Sequence, residues 1–387
     1  MPRGISGVCD DDLSSEDLRW MDLALAEATQ GRGAVEPNPM VGAVIVRDGQ
    51  IVGRGHHARF GGPHAEVTAL RQARSAARGA TLYVTLEPCC HHGKTPPCTG
   101  AIKCAGLARV VVAIRDPFPQ VDGGGIAVLR AAGIKVELGL RAEAAARLNA
   151  PFLKRVLTGI PYVTAKWAMT LDGKTAVASG DSQWISSARS RSLVHAMRGR
   201  MDAILVGIGT VLADDSLLTA RPPGPRTASR IVLDSQARLP LESRLATTAR
   251  QAPVILAVTA AAPQQRLVAL ADLGCEILRF PATPRVPITP LLIELGRRQM
   301  TNLLVEGGGK VLGTFLDEGH VDEVDVFIAP ILEGGDHPHT PARGKGVAKM
   351  SQAIRLGDLT TSELDGDVRV QGLLDRPWRS RLGQLSH

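Results

Sequence analysis

The sequence predicts an α/β protein of two domains, and three observations support this fold class. The chain has 387 residues, whereas single domains typically contain about 100–200 residues. Short apolar strands alternate with helical patterns along the chain, as in layered α/β sheets. A helical stretch from Ala142 to Leu157 ends at Gly159-Ile160-Pro161, and a new strand follows at once. We therefore expect two domains, 1–150 and 151–387.

The first half begins with a helix and a hairpin. Ser14-Ser15-Glu16-Asp17 predicts a helix start, with carboxylates near the positive end of the helix dipole. Val41–Val46 predicts a strand, Asp48-Gly49 a hairpin turn, and Ile51-Val52 the returning strand. Further predicted elements are a helix His64–Ala77, strands Thr81–Leu86 and Arg109–Ile114, a helix Ile126–Ala132 and a strand Ile134–Leu138. This alternation predicts an α/β sandwich with a largely parallel sheet.

The second half repeats the alternation of strands and helices. Its predicted strands are Tyr162–Met169, Ala203–Val206, Arg230–Leu233, Val254–Val258, Asn302–Glu306 and Glu323–Ala329, and its clearest helices are Gln264–Leu273 and Thr289–Gln299. The stretch from Glu333 to Lys345 is rich in Gly, Pro and His, which predicts a mobile loop.

The composition excludes several classes of protein. Hydrophobic residues make up 44% and charged residues 21% of the chain, which is ordinary for a globular protein. No apolar run approaches the roughly 20 residues that span a bilayer, and no apolar signal core follows Asp10-Asp11-Asp12. We therefore expect a cytoplasmic protein without membrane partners.

The charge balance suggests an anionic partner. A net charge of +7 is compatible with nucleic acid or with a small phosphorylated substrate. Aromatic residues form only 3% of the chain, whereas channels for single-stranded nucleic acid need aromatic stacking platforms. The sequence therefore favours a small phosphorylated ligand over nucleic acid.

Four of the six cysteines lie close together in the sequence: Cys89, Cys90, Cys98 and Cys104. In a reducing compartment such a cluster indicates a metal site more often than disulfides. Cys9 and Cys275 stand alone, and we interpret them as a surface thiol and a core thiol.

A histidine, a glutamate and two cysteines form the first chemical pattern. His64 and Glu66 open a predicted helix, and Cys89 and Cys98 follow a predicted strand. One His and two Cys leave the fourth position of a tetrahedral zinc site open for water, as in catalytic sites. The glutamate two residues after the histidine matches the H-x-E and P-C-x-x-C signature of zinc deaminases, in which it moves the proton. Here eight residues separate the cysteines instead of two.

Other residues compete for these roles. Cys90 is an alternative to Cys89, although a cysteine that ends a strand is directed toward the site and Cys90 is then expected to pack behind it. His91 and His92 are alternative ligands, for which we favour loop or substrate contacts. A closed structural zinc site in a binding module would need a fourth ligand such as His91 or Cys104.

The segments Pro37–Gly42, Pro63–Val67 and Thr85–Cys98 resemble the deaminase domain of the RibD family of riboflavin biosynthesis, in which the long cysteine spacing is the rule. The resemblance implies a cytidine-deaminase-like α/β/α sandwich. It also implies the zinc ligands His64, Cys89 and Cys98, the proton shuttle Glu66, and a contact between Asn38 and the substrate pyrimidine. An alternative role for Asn38 is to cap a turn between two prolines.

A glycine turn is the central pattern of the second half. Asn302–Lys310 is a strand, a turn of three glycines and a helix start. Such a turn lets the backbone approach a phosphate at the helix N-terminus. It lacks the G-x-G-x-x-G form of a Rossmann site, and a tight turn without a ligand is the alternative.

The segments Lys166–Lys174, Ser179–Ile185, Gly207–Arg221 and Val305–Gly308 resemble the reductase domain of the same family. The resemblance implies a dihydrofolate-reductase-like α/β domain that uses NADPH. It places the cofactor against Ala168, Trp184, Thr210, Asp214, Ser235, Gly308, Gly309, Lys310, Val311, Leu312, Gly313 and Thr314. It places the substrate against Ser182, Arg198, Leu218, Arg221 and Glu306.

The chemistry of these residue types fits the implied roles. Arg198 and Arg221 can grip a phosphate bidentately, and Glu306 can accept from ribose hydroxyls or aid proton transfer. Lys166 is a further candidate near the sugar, with a solvated strand lysine as its alternative. Asp214-Asp215 could bind a metal, but we favour a loop that contacts the cofactor's sugar.

The sequence thus predicts two successive reactions on one phosphorylated pyrimidine. Zinc-dependent deamination comes first and NADPH-dependent reduction of the ribose second. The resemblance also implies a homo-oligomer, either a dimer or a tetramer. The main alternative is a deaminase of nucleic acid with an accessory domain, which would need a basic, aromatic-lined groove.

Overall fold

The computed structural model describes residues 14–336 and 339–386, which form two compact units. Unit 1 contains the described residues up to Gly159 together with the C-terminal segment from Pro377, and unit 2 contains Ile160–Arg376. The division therefore lies beyond the predicted boundary near residue 150. It also differs from the predicted domains in returning the last residues of the chain to the first unit.

Unit 1 is built on five strands. The strands are β1 (Gly42–Arg47), β2 (Gln50–His56), β3 (Thr81–Val84), β4 (Arg109–Val112) and β5 (Lys135–Leu138). The helices are α1 (Ser15–Thr29), α2 (Ala65–Ala73), α3 (Cys98–Ala105), α4 (Gly124–Ala131), α5 (Ala142–Leu148) and α6 (Ala150–Thr158), with 3-10 turns at Arg74–Ala77 and Pro377–Ser386.

The sheet of unit 1 has the strand order β2-β1-β3-β4-β5. β1 runs antiparallel to both β2 and β3, whereas β3, β4 and β5 are parallel. The prediction of a largely parallel sheet was wrong for this unit because the hairpin at Asp48-Gly49 reverses the chain between β1 and β2. Both turn residues have positive φ (50° and 70°), as a tight hairpin turn requires.

Local signals in the sequence explain where α1 begins. The Ser14 side chain accepts from the backbone N–H of Asp17 at 3.2 Å, and the Asp17 carboxylate accepts from the backbone N–H of Ser14 at 3.0 Å. This reciprocal capping box satisfies backbone donors that the first helical turn leaves free. The predicted helix start is thereby confirmed.

Unit 2 is built on nine strands. They are β6 (Tyr162–Thr170), β7 (Ala203–Gly207), β8 (Ser229–Leu233), β9 (Val254–Thr259), β10 (Glu276–Phe280), β11 (Asn302–Val305), β12 (Glu323–Ala329), β13 (Leu356–Leu364) and β14 (Asp367–Leu374). Its helices are α7 (Ala188–Arg198), α8 (Ile208–Asp214), α9 (Arg244–Thr247), α10 (Gln264–Asp272), α11 (Ile288–Arg297) and α12 (Gly309–Asp317), with a 3-10 turn at Met350–Gln352.

The sheet of unit 2 has the order β10-β9-β8-β7-β11-β6-β12-β14-β13. The strands from β10 to β12 are parallel, and the hairpin β13–β14 adds an antiparallel edge. Alternate residues of the central strands enter different hydrophobic clusters: Ile204 and Val206 pack in one, and Ala203 and Leu205 in the other. Burial of both faces is typical of a parallel sheet covered by helices.

The segment predicted as a mobile loop is a loop in its described part, but hydrogen bonds anchor it. Its beginning binds the Asp172 carboxylate, which accepts from the backbone N–H of Gly334 at 2.7 Å. Residues 339–346, which we name the strap, run along α12 from Gly309 to Asp317. In the strap, Arg343 N–H donates to Gly309 O at 2.8 Å and Lys345 N–H donates to Asp317 Oδ2 at 2.8 Å.

No helix in the described part of the chain combines the length and the apolar character that crossing a membrane requires.

Candidate active sites

Three different elements supply the predicted zinc ligands of unit 1. His64 immediately precedes α2, Cys89 lies on the segment that leaves β3, and Cys98 is the first residue of α3. The segment leaving β3 and two helix starts therefore meet at one place. Such a place collects functional side chains because the carboxyl end of a parallel strand faces the start of the next helix.

The three side chains converge on one point. His64 Nδ1 lies 3.5 Å from Cys89 Sγ and 3.2 Å from Cys98 Sγ, and all three ligand atoms lie within 4.8 Å of one another. Zn–S and Zn–N bonds of about 2.3 and 2.0 Å place tetrahedral ligand atoms roughly 3.5 Å apart. The donor set and its spacing therefore fit a zinc ion.

The two thiols have very different proton affinities. The pKa of Cys89 is lowered to about 4, first by its hydrogen bond with Cys98 and also by one with His64, while burial opposes the change. The same Cys89–Cys98 bond and burial raise the pKa of Cys98. The shared hydrogen bond thus favours a thiolate on Cys89 over one on Cys98, and a bound divalent cation would stabilise both thiolates.

Glu66 lies in the first turn of α2, beside the ligands. The residue is only 3% exposed, and burial raises the pKa of its carboxyl, although His64 and a hydrogen bond with Cys98 act in the opposite direction. A carboxyl with a raised pKa both takes and releases a proton near neutral pH. It is therefore suited to move a proton beside the ligands.

A buried histidine that the sequence did not single out connects Asn38 to the ligand site. Asn38 Nδ2 lies 3.2 Å from His57 Nε2, and His57 Nδ1 lies 3.1 Å from the carbonyl oxygen of Pro63, next to His64. Burial lowers the pKa of His57, so the neutral ring accepts from the Asn38 amide and donates to the carbonyl. The only sequence signal for His57 is its position just after β2.

The competing ligands lie elsewhere. Cys90 Sγ–H donates to Gln120 O at 3.6 Å, the His91 ring packs 6.0 Å from the Phe118 ring, and Cys104 is exposed on α3. Over residues 14–336 and 339–386, His64, Cys89 and Cys98 form the one cluster of three or more such side chains with metal-binding spacing. This arrangement leaves a coordination position open, unlike a closed structural site.

In unit 2, three charged side chains from different elements meet. Glu306 follows β11, Arg198 ends α7, and Lys166 lies on β6. Arg198 Nε and Nη2 donate to the two Glu306 carboxylate oxygens at 2.7 and 2.8 Å, and Lys166 Nζ lies 3.6 Å from Glu306 Oε2. The side chain of Glu306 is 5% exposed, that of Arg198 13% and that of Lys166 16%.

Burial and opposite charges control the protonation of this cluster. Burial alone would raise the pKa of Glu306, but Arg198 and Lys166 outweigh it and lower the pKa to about 2. Burial lowers the pKa of Lys166, against the attraction of Glu306. The cluster therefore holds a permanent carboxylate beside a lysine that gives up its proton more readily than an exposed one.

The expectation that Arg198 and Arg221 grip one phosphate together differs from this geometry. Arg198 gives both donors of its fork to Glu306. Arg221 is exposed, and its guanidinium donates to Thr219 Oγ1 at 3.2 Å and lies 3.5 Å from His195 Nε2. Arg198 is bound internally because Glu306 is buried beside it. Arg221 remains the predicted phosphate contact.

Several predicted cofactor and substrate residues meet in pairs. Thr210 Oγ1 accepts from the backbone N–H of Gly308 at 3.0 Å, which joins α8 to the glycine turn. Ser182 donates a hydrogen bond to Asp214, which opposes the rise in the pKa of Asp214 caused by burial. Leu218 is buried with a positive φ of 53°.

The other predicted cofactor residues lie on the same unit. Trp184 is 68% exposed and stacks with the Arg191 guanidinium at 4.6 Å. Ala168 lies on β6 opposite Phe327 of β12. Ser235 Oγ accepts from the backbone N–H of Val286 at 3.2 Å.

The predicted cofactor segment Gly308–Thr314 divides into two parts. Leu312 is buried in the hydrophobic core, and a Cβ on Gly313 would lie 1.0 Å from Arg343 O of the strap. A Cβ on Gly307 would lie 2.9 Å from the backbone N of Gly207. The glycine turn thus lets two loops approach closely, and the start of α12 is the part of the segment whose backbone suits a phosphate.

Comparison with known proteins identifies the family. Residues 14–114 match the cytidine and deoxycytidylate deaminase zinc-binding region, and residues 161–370 match the RibD C-terminal domain. The riboflavin biosynthesis protein RibD of Aquifex aeolicus is 45% identical over 92% of this chain and 94% of its own length. The chain belongs to the RibD family. The RibD of Actinobacillus pleuropneumoniae is 42% identical over 91% of this chain and 93% of its own length.

Solved RibD structures have the same fold. The Acinetobacter baumannii protein superimposes with a TM-score of 0.83 at 39% identity, covering 93% of this chain and 99% of its own. A diaminohydroxyphosphoribosylaminopyrimidine deaminase/5-amino-6-(5-phosphoribosylamino)uracil reductase from Thermotoga maritima gives 0.80 at 36% identity, covering 92% and 98%. The predicted α/β class is confirmed: a unit with the cytidine deaminase zinc-binding region precedes an α/β unit that matches the RibD C-terminal domain.

Membership in the RibD family also confirms the predicted activity. The chain is a bifunctional enzyme of riboflavin biosynthesis that deaminates and reduces a small phosphorylated pyrimidine, with Zn²⁺ and NADPH as cofactors. The alternatives of a nucleic-acid deaminase and of a structural zinc module are thereby excluded.

Proposed function

We propose that unit 1 carries out the deamination, that unit 2 carries out the reduction, and that deamination comes first. The substrate is 2,5-diamino-6-ribosylamino-4(3H)-pyrimidinone 5′-phosphate, which loses its 2-amino group as ammonia. The product of both steps is 5-amino-6-(5-phosphoribitylamino)uracil. The observation that carries the first step is the convergence of His64, Cys89 and Cys98 next to the buried Glu66.

In the proposed deaminase site, His64, Cys89 and Cys98 hold the zinc ion and Glu66 moves the proton. Bound zinc supplies an acidified water molecule as the nucleophile. Glu66 would accept one proton from that water and pass it to the ring nitrogen, and would then carry a second proton, from the hydroxyl added to the ring carbon, to the departing amine. Its raised pKa supports this cycle because the carboxyl must be deprotonated at the start and protonated midway.

Asn38 orients the pyrimidine in this proposal. The neutral His57 ring accepts from the Asn38 amide nitrogen, so the amide oxygen is the atom left to accept from an amino group or ring N–H of the substrate. The chain from Pro63 through His57 to Asn38 ties this contact to the segment that carries His64.

In the proposed reductase site, the buried charges of unit 2 surround the ribose. Bound NADPH would supply the hydride for C1 of the ribose. Glu306 accepts from ribose hydroxyls and orients the Lys166 ammonium, whose lowered pKa suits it to protonate the oxygen released at C1. Arg198 fixes the carboxylate in place.

The remaining residues bind the two ligands. We assign the phosphorylated substrate to Ser182, Arg198, Leu218, Arg221, Glu306 and Lys166, with Arg221 at the phosphate. We assign NADPH to Ala168, Trp184, Thr210, Asp214, Ser235, Gly308, Gly309, Lys310, Val311, Leu312, Gly313 and Thr314. The assignment is supported by the hydrogen bond from Gly308 to Thr210, which positions the glycine turn at the start of α12.

We further propose that the protein is a cytoplasmic homo-oligomer, a dimer or a tetramer, that binds neither nucleic acid nor membrane. β13 is the edge strand of its sheet, and Leu356 and Leu359 on it are exposed, as is Met350 before it. Exposed apolar side chains along an unpaired strand edge are typical of a protein–protein interface.

The order of reactions can be tested with the diaminopyrimidine substrate, with and without NADPH. Ammonia should be released without cofactor, and NADPH should be oxidised only after deamination. A Glu66→Gln variant should keep its zinc, lose deamination by about 10²–10⁴-fold, and reduce the deaminated compound at the normal rate. NADPH oxidation that precedes ammonia release would contradict the proposed order, and full activity of the variant would contradict the role of Glu66.

A further inference from the structure

Glu87 is a buried carboxylate that no step of the reaction uses. It lies two residues before Cys89, between the end of β3 and the ligand, and is 4% exposed. Three backbone groups donate to its side chain: Oε2 accepts from the backbone N–H of Asp116 at 3.2 Å and of Gly123 at 3.0 Å, and Oε1 accepts from that of Ile126 at 3.0 Å.

These three donors belong to one loop and one helix start. Asp116 lies in the loop after β4, Gly123 is the N-cap residue of α4, and Ile126 lies in the first turn of α4. Glu87 therefore caps α4 from a distant part of the chain. A carboxylate suits this place because the first N–H groups of a helix have no partner within the helix and carry partial positive charge.

The captured loop supports the residues that separate the two cysteine ligands. Gln120 O accepts from Cys90 Sγ–H at 3.6 Å, and the Phe118 ring packs against His91. The segment that precedes the spacer also packs closely against α4, because a Cβ on Gly125 would lie 2.0 Å from Pro88 O. The start of the eight-residue spacer between Cys89 and Cys98 thus rests on a loop that Glu87 holds.

We propose that Glu87 is a positioning residue of the deaminase, which fixes the loop Asp116–Gly123 and thereby keeps Cys89 and its spacer in the geometry that binds zinc. A spacer of two residues is constrained by its own short length. A spacer of eight is not, so its conformation needs support from outside, and the Glu87 contacts provide it. This inference rests on the proposed zinc ligands.

The test is the Glu87→Gln variant. The amide can accept at one end only, and its NH₂ end meets a backbone N–H as a second donor. Loss of an outer partner of a metal site typically costs 10–100-fold in metal affinity. We therefore expect zinc transfer to a chromogenic chelator to be at least tenfold faster, and the visible absorption bands of the cobalt-substituted protein to change.

Three comparisons make the result specific. Reduction of the deaminated substrate by the same variant should be unchanged, because unit 2 is intact. Glu137→Gln, which removes an acid that binds Arg109 and Lys135 in unit 1, should lower the melting temperature without changing zinc release. Gly125→Ala should reproduce the effect of Glu87→Gln from the opposite side of the contact, and it carries the test if the Glu87 variant does not fold.

The outcomes separate this inference from the ligand assignment. Zinc retained by a His64→Ala variant at full affinity would overturn the ligands themselves. The role of Glu87 would be overturned if His64→Ala lost zinc but both Glu87→Gln and Gly125→Ala kept normal zinc release and normal cobalt spectra. That result would still support the proposed zinc ligands.

Discussion

Removal of the Glu306 charge should lower the free energy of unfolding of unit 2 as well as its reductase activity. Glu306→Gln keeps the shape of the side chain but leaves the buried cations Arg198 and Lys166 without their carboxylate. Arg198 contacts both carboxylate oxygens, at 2.7 and 2.8 Å, and its side chain is 13% exposed. Water therefore cannot replace the lost partner.

The pKa of Glu306 gives the magnitude. Its lowering from 4.5 to about 2 corresponds to about 3 kcal/mol at pH 7, since one pKa unit is worth roughly 1.4 kcal/mol. Breaking a buried ion pair typically costs about 3–5 kcal/mol, in agreement. Because the folded pKa is the lower one, this stabilisation is complete above about pH 4.5 and is lost as the pH falls toward 2.

The assay is the urea dependence of amide hydrogen exchange, which reports each unit separately. Peptides from β6 and β11 should lose about 3 kcal/mol of protection at pH 7 in Glu306→Gln, and peptides from β1 and β3 should lose none. The matched control is Glu294→Gln, which removes a 33% exposed partner of Arg298. An exposed pair contributes under about 1 kcal/mol.

A loss below about 1 kcal/mol in β6 and β11, or a loss equal to that of the Glu294 control, would refute the reasoning. The pair itself can be isolated by adding Arg198→Met to Glu306→Gln. The double variant should lose less stability than the two single variants together, because the stranded cation is then gone.

Three further predictions concern other parts of the chain. Gly313→Ala should displace the strap and raise the KM for NADPH, because the new Cβ would lie 1.0 Å from Arg343 O on a helix that we assign to the cofactor. Gly209→Ala, whose new Cβ meets no atom within 4 Å, is the control. Equal KM values for the two variants would show that the close contact between Gly313 and Arg343 does not support cofactor binding. Arg230→Met should lower the stability of unit 2 by more than about 3 kcal/mol in urea unfolding. The reason is that the buried Arg230 guanidinium donates to the carbonyl oxygens of Leu217, Thr248 and Ala252. A loss within about 0.5 kcal/mol would show that these carbonyls find other partners. Chelation of zinc should abolish ammonia release but leave reduction of the deaminated substrate intact, because the three proposed ligands belong to unit 1, and parallel loss of both activities would argue against this division.

Local patterns in the sequence determined most of the regular structure. Neighbouring residues alone specify the capping box at Ser14, the hairpin at Asp48-Gly49 and the apolar strands of both units. These elements could therefore be predicted without the tertiary structure. The hairpin β13–β14 was missed because the outer strand is exposed and carries little apolar periodicity. The segment Glu333–Lys345, which contains most of the strap, was predicted to be mobile from its Gly, Pro and His content, which does not reveal the hydrogen bonds between the strap and α12.

The sequence by itself predicted the chemistry of the proposed zinc site, because residue types and motif order indicate which side chains can be ligands and which can be the acid. Only the tertiary structure decided which groups surround them. The ion pair between Arg198 and Glu306 joins residues 108 positions apart in the sequence. The hydrogen bond by which Glu87 caps α4 at Ile126 joins residues 39 positions apart. No local pattern encodes such contacts, since they depend on how strands and helices pack after each has formed.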